Sequence, residues 1–84
     1  MTYAVSILRR AQKELSQIPS PGFERVCEAV RSLAASPRPA GCRKLVNREG
    51  WRIRVGDYRV IYEIDEKTKT VRVMRVKHRR EVYR

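Results

Sequence analysis

Eighty-four residues with a 42% apolar fraction suit one small globular domain, because a chain this short buries only about 60 to 65% of the surface its unfolded form exposes and cannot support two cores. No run approaches the roughly 20 apolar residues of a membrane span, and apolar residues recurring along the whole chain argue against intrinsic disorder. Twenty Lys and Arg against nine Asp and Glu give a net charge of +11, a surface suited to RNA, DNA, anionic lipid or an acidic protein.

In chain order, the first residues up to Val5 read as a strand rather than a signal peptide, so the expected location is the cytoplasm. Tyr3 to Ile7 alternates weakly and suits a short strand. Leu8, Ala11, Leu15 and Ile18 then fall at helical spacing, which predicts a first helix from about Arg9 to Gln17. Pro19-Ser20-Pro21-Gly22 ends it, since two prolines and a glycine remove donors and break the pattern. A second helix carries Phe23, Val26, Cys27, Val30, Leu33 and Ala34 as one apolar stripe and is expected to end near Ser36. Cys27 is a packing residue on that stripe, and neither it nor Cys42 has a Cys or His neighbour at metal-ligand spacing.

Pro37-Arg38-Pro39-Ala40-Gly41 is a loop, and the segment from Cys42 to Val46 leads into a half in which the apolar period changes from 3.6 to 2. Trp51, Ile53 and Val55 mark one strand, with Arg52 and Arg54 on its other face. Gly56-Asp57 is a tight-turn candidate, although a weaker hairpin signal than Asp-Gly. Tyr58, Val60, Tyr62 and Ile64 share one face of the next strand, and Arg59, Ile61 and Glu63 the other. In the last strand, roughly Thr70 to Lys77, Val71 and Val73 sit at one parity and Met74 and Val76 at the other, so it is either covered on both faces or bulged. The expected fold is α+β, in the order β-α-α-β-β-β, an antiparallel sheet with a two-helix hairpin packed on one face and residues 1–84 forming a single domain.

The charge is lopsided: residues 1–40 carry six basic and three acidic side chains, residues 41–84 fourteen and six. Within the basic half, Arg52 and Arg54 project together about 7 Å apart by strand rise, a spacing for a phosphate clamp. Arg59 lies across a short turn, and the tail adds Lys77, His78, Arg79, Arg80 and the aromatic Tyr83. The plainer alternative is that these arginines are a solvated sheet face.

The run from Gly50 through Trp51-Arg52-Ile53-Arg54-Val55-Gly56-Asp57-Tyr58-Arg59-Val60-Ile61 to Tyr62 resembles the strand-turn-strand signature of RelE-type toxins. Val76-Lys77-His78-Arg79-Arg80-Glu81-Val82-Tyr83 resembles their C-terminal motif, and the order of elements agrees over essentially the full chain. The resemblance to the RelE/ParE superfamily implies a toxin of a type II toxin-antitoxin system, a ribosome-dependent mRNA endonuclease that cuts a codon in the ribosomal A site without a metal or other cofactor. The RNA's own 2′-hydroxyl would be the nucleophile.

By that resemblance Arg52, Arg54, Arg59, Arg79 or Arg80, and Tyr83 fall at the family's catalytic positions, with Lys77, His78, Arg80 and Lys44 as RNA contacts. Preorganised guanidinium groups suit the charge of a cleaving phosphodiester. Tyr83 acts either as a base on the 2′-hydroxyl, if nearby cations lower its pKa, or as a stacking group. Arginine where some members carry lysine keeps the electrostatic role but not proton transfer. The implied partners are a cognate antitoxin in a hetero-oligomer, the ribosome and mRNA, with no membrane. Two alternatives are a ParE-like inhibitor of DNA gyrase without nuclease activity and an inactive relative that binds RNA or antitoxin.

Overall fold

The computed structural model describes residues 2–82, so Tyr83 lies outside the described residues. The elements run β1 (Ala4–Ile7), α1 (Arg9–Ser16), α2 (Gly22–Ser32), β2 (Arg43–Lys44), β3 (Trp51–Val55), β4 (Tyr58–Asp65), β5 (Thr70–His78) and α3 (Arg79–Val82). The five strands form one sheet in the order β1-β5-β4-β3-β2. The α+β class and the two helices on one face are as expected from sequence. The sheet is mixed rather than antiparallel throughout, because β1 pairs parallel with β5. Hairpins reverse direction at each turn, so β5 runs with β3, and the two helices between β1 and β3 return the chain to start β3 in the direction of β1. Among the described residues no helix is long and apolar enough to cross a membrane.

The apolar stripe of α2 continues past the helix end. Leu33, Ala34 and Ala35 donate to Val30, Arg31 and Ser32 carbonyls three residues back, a tighter winding that ends the α-helix at Ser32 while leaving Leu33 fully buried. The core lies between the helices and the sheet, with Ala11, Leu15, Ile18, Val26, Val30 and Leu33 facing Ile53, Val60, Tyr62, Val71, Val73 and Val76. Tyr62 is wholly buried and donates its hydroxyl to the Pro37 carbonyl at 2.6 Å. Burial holds its phenol well above the ordinary value, so it stays a donor and ties the loop after α2 to the sheet.

The two parities of β5 are reconciled by a bulge. Ile61 registers with Arg75 and Tyr62 with Val73, leaving Met74 as the extra residue. Val71, Val73 and Val76 all reach the core in consequence.

Beyond the end of β1 the edge of β5 is covered by α1. Glu14 accepts from the Arg75 guanidinium at 2.6 and 3.0 Å and from the Val76 amide at 2.9 Å, so one carboxylate satisfies an edge donor and closes an ion pair. Burial pushes this carboxyl up, but the hydrogen bonds from Arg75 and Val76 and the charges of Arg75 and Lys77 outweigh it and hold it below its ordinary value. At the far end of β4, Glu66 accepts from Tyr3 at 2.7 Å and pairs with Arg38 at 2.8 Å and Lys69 at 3.1 Å. Those three donors hold its carboxyl down to about 2.

Because the Glu14 carboxyl is depressed in the folded state, its contribution is present above the unfolded carboxylate range and is lost as pH falls through the folded value. Glu14→Gln is expected to cost about 1 to 2 kcal/mol at about pH 7, with the gap to wild type narrowing as pH falls below the unfolded carboxylate range, as measured by urea titration at each pH.

Candidate nucleic-acid interface

The turn between β3 and β4 sets the geometry. Val55 registers with Tyr58, so Gly56 and Asp57 are the whole turn, and Gly56 takes φ +60° at its first central position. That is the pattern of a type II′ turn, where glycine comes first, which explains why Gly-Asp works here in place of Asp-Gly. The two-residue turn fixes the register: Arg54 lies opposite Arg59, and Arg59 opposite Lys77 on β5.

Three cations therefore stand in one row across the three central strands, on the face away from the helices. Like charges directly opposite one another in adjacent strands are destabilising, by up to about 1 kcal/mol a pair. Arg59, in the centre, is only 7% exposed. The register gathers three cationic side chains at this point.

At the end of the row a hollow of about 120 Å³ is lined by Arg54, Gly56, Asp57, Tyr58, Arg59 and Arg79. A buried water needs only about 10 to 15 Å³, so the hollow admits a group several times larger than water. Arg79 is held at the rim by its backbone, whose N–H donates to the Asp57 carbonyl at 2.7 Å. Its guanidinium stands 3.8 Å from the Asp57 carboxylate with both side chains largely exposed, an ion pair of little energy.

The structure brings together Arg54, Arg59 and Arg79 at the hollow, with Lys77 flanking in the row. Of the two tail arginines left open by sequence, Arg79 lines the hollow and Arg80 does not. Arg52 shares the face but sits one row away, between Arg43 and Ile61 in register. Lys44 registers with Trp51 and so belongs to the opposite, helix-side face. Its neighbour Arg43 extends the arginine face instead, a residue that sequence reading missed because a two-residue strand leaves no alternation to read. Asp57 was likewise read only as a turn residue. His78 falls on the helix side opposite Tyr58, and Tyr83 lies outside the described residues.

A mixed sheet with a helical hairpin on one face and an arginine-rich other face makes this a small basic α+β domain. The chain matches the family described as the ParE toxin of the type II toxin-antitoxin system, parDE, over residues 5–83. It belongs to that family, within the RelE/ParE superfamily. Toxin RelG of Mycobacterium tuberculosis is 34% identical over 88 residues, spanning 100% of this chain and 99% of the relative. A chain of the toxin-antitoxin complex RelBE2 from Mycobacterium tuberculosis superposes with a TM-score of 0.83 at 27% identity, covering 93% of this chain and 99% of that one. A chain of the archaeal RelE-RelB complex from Pyrococcus horikoshii also reaches 0.83, at 33% identity over 94% and 97%.

Removing one cation that neutralises an RNA phosphate should lower the slope of log affinity against log salt by about 0.7 for a single strand. Arg54→Ala and Arg79→Ala are each expected to weaken binding of a short single-stranded RNA and flatten that slope, while Lys44→Ala leaves both near wild type. Fluorescence anisotropy across a salt series checks this.

Proposed function

We propose that this toxin is a ribosome-dependent mRNA endonuclease that cleaves by attack of the RNA's own 2′-hydroxyl on the adjacent phosphate. The observation that carries the reading is the Arg54–Arg59–Lys77 row ending in the hollow at Arg79. Guanidinium groups gathered beside a hollow match the geometry and charge of a phosphate group. In the reaction the 2′-hydroxyl gives up its proton as its oxygen bonds to phosphorus, the P–O5′ bond breaks, the leaving 5′-oxygen takes up a proton, and a cyclic phosphate and a 5′-hydroxyl end remain. Arg59 and Arg54 stabilise the charge that builds on the non-bridging oxygens, and their forked donors match those oxygens two at a time. Arg79 supplies a third cation from the rim. Tyr83 completes the set as base or stacking group, on the strength of the family motif alone.

The antitoxin partner is supported by the similar chains of RelBE2 and RelE-RelB, both solved in toxin-antitoxin complexes. Against a net charge of +11, its toxin-binding segment combines acidic with apolar residues. Ribosome binding through phosphates is then the more salt-sensitive of the two associations. A second reading, gyrase inhibition without RNA cleavage, is favoured by the match to the ParE family.

The test is cleavage of a defined mRNA with and without programmed ribosomes. Wild type should cut only with ribosomes; Arg59→Ala and Arg59→Lys should both lose about 100-fold or more in rate, because lysine keeps the charge but not the fork. Tyr83→Phe should also fall well below wild type. Folded wild type that cuts nothing but blocks gyrase supercoiling would establish the second reading instead.

A further inference from the structure

The bulge at Met74 sets the direction in which His78 points. Past the bulge, Val76 points into the core and Lys77 into the cation row, so His78 turns back to the helix side. There it registers with Tyr58, and the two rings meet edge to face at 5.3 Å with an interplanar angle of 89°. The Tyr58 ring is backed in turn by the start of α2, since a Cβ at Gly22 would stand 3.2 Å from its Cε2. Held this way, the imidazole accepts the Arg80 N–H on Nδ1 at 3.2 Å.

Helix α3 begins at Arg79, and the first N–H groups of any helix lack partners within it. Here the first goes to the Asp57 carbonyl at 2.7 Å and the second to His78. His78 thus occupies the position usually filled by Ser, Thr, Asp or Asn, with a ring nitrogen in place of their side-chain oxygen. Accepting that hydrogen places the ring's own proton on Nε2.

We propose that His78 is a positioning residue, whose Nδ1 lone pair seats α3 against the β3–β4 turn and so holds Arg79 at the rim of the hollow. The effect on catalysis rests on the RNA-cleaving function argued above; the effect on the helix does not.

Asparagine places its Oδ1 close to where Nδ1 lies, and glutamine reaches instead to the region of Nε2. Their comparison separates a cap from an interaction made through the outer nitrogen. In the free protein, amide exchange at Arg80 should rise about fivefold in His78→Ala and His78→Gln, the loss of a typical cap, and return to near wild type in His78→Asn. Imidazole 15N shifts of wild type should report the Nε2–H tautomer. In the cleavage assay, His78→Ala and His78→Gln should lower kcat with little change in KM, and His78→Asn should restore it. Unchanged Arg80 exchange in His78→Ala, or rescue by glutamine and not asparagine, would overturn the proposal. If wild type cleaves no RNA, the function falls, while the exchange and tautomer measurements still decide the cap.

Discussion

One extra residue in β5 governs where the chemistry of this protein can sit. Without the bulge at Met74, the alternation that carries Val71 and Val73 inward would send Arg75 and Lys77 into the core and leave Val76 outside. Two buried cations among Val60, Val30 and Leu33 would cost far more than the small fold can offset. With the bulge, Val76 is buried, Lys77 joins Arg54 and Arg59, and His78 turns to meet Tyr58. A strand that must serve the core at one end and the functional face at the other changes parity between them.

The other fixed point is the two-residue turn at Gly56-Asp57. It pins Val55 opposite Tyr58, and a slip of one residue would move every arginine of β3 to the helix side. Asp57 serves a second time through its carbonyl, which receives the Arg79 N–H. The β3–β4 turn therefore organises both walls of the hollow, one by register and one by a hydrogen bond to a segment 22 residues further along. The Glu14 carboxylate steadies the strand that connects them, at the point where β1 no longer covers its edge.

Carboxylates meet cations at several points of the fold: Glu14 meets Arg75, Glu63 meets Arg72, and Glu66 takes both Arg38 and Lys69. The register also sets Arg54, Arg59 and Lys77 side by side at the hollow. Arg43, Arg52, Arg54, Arg59 and Lys77 share the face of the sheet away from the helices, an arrangement suited to a polyanionic partner.

Much of this was legible in the chain itself. Period-3.6 and period-2 apolar patterns are local, so the two helices, the three long strands and the outward parity of Arg52, Arg54 and Arg59 could be read before any tertiary pairing was known. The cation cluster and the family resemblance rest on the same stretches. Tertiary structure alone decided what depends on partners distant in sequence. The parallel pairing of β1 with β5, the choice between a bulge and a doubly covered strand, and the separation of Lys44 from the arginine face are all matters of register between strands. The contrast between Arg79 and Arg80, and the turn of His78 away from the row, follow from hydrogen bonds that close only when the tail meets the β3–β4 turn. Sequence periodicity reports which face a residue occupies within its own strand, and cannot report which strand lies beside it.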